Sequence, residues 1–137
     1  MEKTVSQKLG IRKNMRTFFM NAPDKFSTDA CLPEIDLHAA LNGDFDYIHF
    51  FVLTQKEFHD QFKKLKSHLK PDGVLWVSWP KSGQYETDLN IKIVIKIGYD
   101  YGLVESKAIS IDPVWSALKF THPKKGKEYT NSYGKLK

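Results

Sequence analysis

The apolar positions fall into two kinds of run, continuous and helically spaced. Phe45-Asp46-Tyr47-Ile48-His49-Phe50-Phe51-Val52-Leu53 is apolar or aromatic almost throughout. A short run with no polar face predicts a strand covered on both sides, as in a parallel sheet between helices. Thr54-Gln55-Lys56-Glu57 then has the form of a capping box, in which a hydroxyl and a carboxylate satisfy the free backbone donors of a helix start. Phe58, Phe62, Leu65 and Leu69 recur behind it at helical spacing, with Lys63, Lys64 and Lys66 elsewhere on the wheel, so a helix is predicted. Lys70-Pro71-Asp72-Gly73 predicts its end, and Val74 to Trp79 predicts a second strand stopped by Pro80.

Upstream, Glu2 to Leu9 predicts a short helix closed by Gly10, and Met15 to Met20 a first strand bounded by the turn Asn21-Ala22-Pro23. Asp24 to Leu32 predicts a helical turn or two before Pro33, while Glu34 to Leu41 fits a short strand or a loop. Downstream the pattern conflicts with itself. Ile91 to Ile97 nearly alternates and is β-branched, which favours a strand. In a longer window Leu89, Ile93, Val94, Ile97 and Tyr101 form one helical stripe, opposite Asp88, Lys92, Lys96 and Asp100 at intervals of four. Helix is the better reading, with Thr87 as its cap and Gly102 as its stop. Leu103 to Ile111, the turn Asp112-Pro113 and Val114 to Phe120 then predict a closing hairpin. Strands alternating with helices predict a Rossmann-like α/β fold, with a mainly parallel sheet and an antiparallel C-terminal hairpin.

The 137 residues suffice for one domain, placed at 1–120, followed by a basic flexible tail at 121–137. The net charge of +5 suggests a polyanionic partner until it is divided by segment. Residues 1–118 hold 15 basic and 15 acidic side chains, and 119–137 hold six lysines against Glu128, so the excess belongs to the tail. Nucleic-acid binding by the domain is therefore not expected. One cysteine, Cys31, excludes an internal disulfide and fits a reducing cytoplasm, where it would be a small buried hydrophobe. No apolar run approaches a membrane span, and the first twenty residues lack a signal-peptide core, so a cytoplasmic protein without a membrane partner is expected.

Phe45-Asp46-Tyr47-Ile48, the helix after it and Leu69-Lys70-Pro71-Asp72-Gly73-Val74-Leu75 resemble the second half of the class I S-adenosylmethionine-dependent methyltransferase fold. Trp76-Val77-Ser78-Trp79-Pro80-Lys81, Trp115 to Phe120 and Leu9-Gly10-Ile11 with Met15-Arg16 resemble a family of short, uncharacterised bacterial proteins grouped as a domain of unknown function. The resemblance implies a methyltransferase-like fold, reduced by one strand-helix unit, and carries no established activity. Methyltransferases hold their cofactor with a glycine-rich turn after the first strand, where this chain has Asn21-Ala22-Pro23-Asp24. The acidic residue that would bind ribose could be Glu34 or Asp36.

In a parallel sheet the loops after the strands gather at one edge, where α/β proteins bind ligands. Those loops bring Asn21, Pro23, Thr54, Trp79, Lys81, Ser82, Asp112 and Trp115 into one expected neighbourhood, in which Lys81 would favour an anionic ligand. The tryptophans also fit plain packing. Ser78-Trp79-Pro80-Lys81 matches an S-x-x-K pair only in letters, because that chemistry needs a helix start. Five histidines show no metal-ligand spacing, so no metal is expected, and His49 reads as a core histidine with a local hydrogen bond. Asp44 and Asp46 lie at the foot of a strand, in structural roles. The tail interleaves lysines with Tyr129 and Tyr133, which would suit phosphates and stacked bases. The sequence thus predicts a non-catalytic module for a small anionic ligand or a partner protein, with no cofactor. The alternatives are a methyltransferase with an atypical cofactor loop and weak nucleic-acid binding through the tail.

Overall fold

A computed structural model of the protein describes residues 4–136. Its elements are α1 (Val5–Leu9), β1 (Arg16–Met20), α2 (Phe26–Asp29), β2 (Asp36–His38), β3 (Phe45–Phe51), α3 (Gln55–Ser67), β4 (Leu69–Pro80), α4 (Ile91–Asp100), β5 (Val104–Ser110) and β6 (Trp115–Thr121). They form one six-stranded sheet in the order β2-β1-β3-β4-β6-β5. Neighbours from β2 to β4 run parallel, and β6 is antiparallel to both β4 and β5. The α/β fold with a parallel core and an antiparallel hairpin is the one read from the pattern, and the ambiguous segment before Leu41 supplies β2. Of the helix expected from Glu2, residues 2–3 lie outside the described residues.

Strand alternation divides the core in two. Ile48 and Phe50 of β3, Val52 just past it, and Leu75 and Val77 of β4 point to the face covered by α3 and α4, where Phe58, Phe62, Leu65, Val94 and Ile97 meet them. Tyr47, Phe51 and Trp76 point to the other face, against Leu9, Ile11, Phe26 and Ala30. That second cover is thin, because α1 and α2 are only five and four residues long. It is fastened by the buried indole N–H of Trp76, which donates to the Leu9 carbonyl at 2.9 Å. Each fully buried large side chain of this kind contributes about 1.5–3 kcal/mol.

Three local expectations are corrected. Lys70-Pro71-Asp72-Gly73 does not separate a helix from a strand; it lies inside β4 as an irregularity, since Phe45 pairs with Leu69 while Tyr47 pairs with Val74. Leu69 is held by its burial, and the Lys70 ammonium reaches Asp46 Oδ1 at 2.9 Å, so pairing resumes past the proline instead of ending. Gly73 suits this bulge because a Cβ there would stand 2.9 Å from the Phe45 carbonyl oxygen. Second, α4 is a helix, as the longer window indicated, but Asn90 caps it by accepting from the Ile93 N–H at 3.0 Å. Thr87 instead donates to the Leu53 carbonyl at 2.6 Å, and Asp88 accepts from the Gln55 N–H at 2.8 Å instead of pairing with Lys92. Third, Cys31 is exposed, turned outward by a left-handed backbone (φ 54°) just past α2.

The segment after β6 folds back over α4 and β5. The Asn131 amide donates to Glu105 at 2.8 Å, Tyr129 packs on the core, and Gly134 lies against the Tyr99 ring. No helix among the described residues is long and apolar enough to cross a membrane.

Gly98 is the tightest point of the α4 face, because a Cβ there would fall 2.0 Å from the Phe120 ring. Gly98→Ala should therefore lower the unfolding free energy by about 2 kcal/mol in urea titrations, despite the ~1 kcal/mol that alanine gains in helix propensity. A variant as stable as the parent would contradict this packing.

Candidate functional site

The carboxyl ends of β1, β3 and β4 and the β5–β6 turn meet at one edge. The chain leaves β1 through Asn21, whose φ of 60° is left-handed, a conformation asparagine tolerates better than most residues. Its side-chain amide donates to the Phe51 carbonyl at 3.3 Å and ties the ends of β1 and β3 together. Pro23 follows without a backbone N–H, and α2 begins at Phe26 with no side-chain cap. This turn offers a ligand few backbone donors. The acidic residues considered for a ribose contact are elsewhere: Asp36 opens β2 opposite Arg16 and Glu34 precedes it, so both lie at the amino end of that strand. The carboxyl end of β2 is His38, and the six residues 39–44 return directly to β3 without a helix.

Seven of the eight residues expected in one neighbourhood are distributed over three adjoining cavities. Asn21, Pro23 and Trp115 line one of about 310 Å³, together with Phe51, Leu53, Glu57 and Tyr85. Pro23, Asp112 and Trp115 line a second of about 290 Å³, against Phe26 and Phe51. Trp79, Lys81 and Ser82 line a third of about 600 Å³, beside Leu89 and the β5–β6 residues Ala108, Ser110, Ser116 and Ala117. Thr54 lines none of these three; its hydroxyl caps α3 by accepting from the Glu57 N–H at 3.1 Å. The sequence did not mark Glu57, Tyr85 and Phe51 as wall residues. Glu57 looked like half of a capping box, Phe51 like core, and Tyr85 carried no pattern because the loop 81–90 has none.

Lys81 is a brace. Its ammonium donates to Ser110 Oγ at 2.5 Å and to the Asp112 carbonyl at 2.7 Å, fastening the end of β4 to the hairpin turn. Both partners are neutral oxygens, and no carboxylate lies within ion-pair distance of it among the described residues. The Asp112 carboxylate is turned to its own loop, accepting from the Val114 and Trp115 N–H groups at 2.8 Å each. Trp115 meets Phe51 edge-on at 5.2 Å and Tyr85 at 5.9 Å with the rings tilted by 36°.

Beneath the edge lies a fully buried polar chain. Tyr47 Oη is 3.0 Å from His49 Nδ1, and His49 Nε2 is 2.6 Å from Ser78 Oγ. Burial pushes the Tyr47 phenol well above its ordinary value and His49 down to about 3, so the imidazole is neutral and carries one N–H along the chain. His49 is thus the core histidine that the sequence suggested, stacked on Phe51 at 4.4 Å. Ser78 is committed to His49 and Lys81 to Ser110 and Asp112, so the S-x-x-K letters are not a pair. No group of three or more candidate metal ligands occurs among the described residues. At the opposite edge, burial raises Asp46, but Lys70 and the Arg16 N–H outweigh it and hold the carboxyl below its ordinary value. Asp46 and its neighbour Asp44, whose carbonyl accepts from Arg16 at 2.6 Å, belong to this structural foot.

No family model and no curated protein matches the chain. Solved structures do. The ribosomal protein L11 methylase of Lactobacillus delbrueckii subsp. bulgaricus superposes with a TM-score of 0.54 at 12% identity, over 87% of this chain and 79% of that one. The TehB-like SAM-dependent methyltransferase of Corynebacterium glutamicum gives 0.54 at 11%, over 89% of each chain. The protein therefore has a reduced methyltransferase-like fold.

His49 fixes a pH dependence. Its pKa falls from 6.5 in the unfolded chain to about 3 in the fold, so below pH 6.5 the unfolded state binds a proton that the fold refuses. Stability is full above that pH and falls by about 3 kcal/mol between pH 7 and pH 4. His49→Gln keeps a hydrogen-bonding side chain that does not titrate; it should be less stable at pH 7 yet flatter over this range in urea titrations. An unchanged slope would refute the assignment.

Proposed function

We propose that the protein is a non-catalytic binding module that takes a small anionic ligand at the carboxyl edge of its sheet. The observation that supports this is the Lys81 ammonium, fixed by two neutral oxygens beside Trp79, Leu89, Ala108 and Ala117 and without a paired carboxylate among the described residues. A cation already oriented by neutral acceptors keeps its charge for an incoming anion and loses little side-chain entropy when the anion arrives. The hydroxyls of Ser82 and Ser116 line the same cavity and can donate to carboxylate or phosphate oxygens, while that of Ser110 accepts from Lys81 and donates to the Asp112 carbonyl at 3.4 Å. The turn after β1 argues against the usual cofactor mode, since Pro23 removes a donor and Asn21 puts a side chain where close backbone approach calls for glycine. The single cysteine suits a cytoplasmic setting.

An S-adenosylmethionine-dependent methyltransferase with an atypical cofactor loop is the second reading. It is supported by the fold likeness and by the two cavities of about 290 and 310 Å³, which share Pro23, Phe51 and Trp115. A nucleic-acid reading through the tail has less support, because Tyr133 already lies under Lys92 and Tyr129 under Lys127.

Calorimetry with S-adenosylmethionine and S-adenosylhomocysteine, beside a thermal-shift screen of carboxylates and phosphates, decides between the first two. The expected result is no heat from either sulfur compound and stabilising anions whose effect disappears in Lys81→Ala. Micromolar binding of S-adenosylmethionine would move the conclusion to the second reading.

A further inference from the structure

Tyr85 lines both the cavity that holds Lys81 and the one that holds Trp115. It is a large aromatic side chain with 55% of its surface in water, on a loop where Gly83 has a φ of 83° and nothing within 4 Å of its Cβ direction. Its ring contact is the tilted approach to Trp115 at 5.9 Å. A partly wet aromatic pair of this kind is worth about 0.5–1.5 kcal/mol, so another flat ring can replace Tyr85 at small cost. The charges on the two sides of Tyr85 differ. Glu57 lines the Trp115 chamber and repels an anion, whereas the Lys81 chamber holds an ammonium with no carboxylate partner among the described residues and the hydroxyls of Ser82 and Ser116.

We propose that Tyr85 is a movable partition and that the two chambers receive one ligand, an aromatic anion, with its flat body against Trp115 and its carboxylate or phosphate at Lys81. This rests on the anion-binding reading above and extends it by naming the body attached to the anion, its orientation and the side chain it displaces. Trp115 then offers the ligand the face that Tyr85 gives up, with Phe51 edge-on at 5.2 Å as its fixed backing. The reverse orientation would place the anion beside Glu57 and leave Lys81 unused.

The test is calorimetric titration of the full chain with 1-naphthyl phosphate, 1-naphthol and inorganic phosphate. The aromatic anion should bind at least tenfold more tightly than either part. Lys81→Met should reduce it to the level of 1-naphthol, and Lys81→Arg should restore it. Tyr85→Ala removes the competing ring and should tighten binding about two- to tenfold, the factor that corresponds to the lost Tyr85–Trp115 contact. Tyr85 is exposed, so the variant should fold; thermal unfolding checks this. Loss of binding in Tyr85→Ala would make Tyr85 a fixed wall and overturn the proposal. Equal binding of inorganic and naphthyl phosphate, lost in Lys81→Met, would overturn it while leaving the anion-binding reading intact. No binding by any of the three, together with no anion in the broader screen, would remove both.

Discussion

β3 and β4 lie at the centre of the sheet and carry apolar side chains on both faces, so the chain must cover them twice. On one face α3 and α4 do this with long amphipathic stripes. On the other the cover is α1 and α2, nine residues in all, pinned by the Trp76 indole to the Leu9 carbonyl. Where that cover ends, aromatic rings take its place: Phe26, Phe51 and Trp115 are in edge-on contact, and cavities remain between them. The Trp115 cavities are thus a consequence of thin cover on one face, placed by topology at the edge where the strands end, and the Lys81 cavity beside them is walled by Trp79 and Leu89 of the other face.

The polar chain under that edge belongs to the same constraint. A strand buried on both faces has little room for polar side chains, and each one there must be satisfied within the core. Tyr47, His49 and Ser78 satisfy one another across β3 and β4. The sheet is locked in register at the point where the site is built, at the cost of sensitivity to acid.

Much of this was legible in the sequence, for identifiable reasons. The continuous run Phe45 to Leu53 is short and rich in aromatic residues, which favours a doubly covered strand over a helix, and α4 declared itself once the window was long enough for a 3.6-residue period to outweigh β-branching. Local signals failed where tertiary contacts overrode them. Pro71 and Gly73 read as a stop because nothing in the sequence says that Leu69 pairs with Phe45. Thr87 read as a cap because the Leu53 carbonyl that claims its hydroxyl is 34 residues away. Cys31 read as buried because its left-handed turn has no sequence signature. For the candidate site, strand ends placed Asn21, Pro23, Lys81 and Trp115 at one edge, but not the separate cavities they line, because Tyr85, which lines two of these, sits in a loop with no periodicity to read.

The central claim is that the ligand site lies at the Trp115 and Lys81 end of the sheet and not in the core beneath it. Labelling the full chain with 5-fluorotryptophan gives separate fluorine resonances for Trp76, Trp79 and Trp115, assignable by single substitution to phenylalanine. On titration with 1-naphthyl phosphate the account predicts a saturable shift of the Trp115 resonance, a smaller one for Trp79, and none for the buried Trp76. Binding that leaves Trp115 unmoved, or that moves Trp76 as much as Trp115, would contradict it.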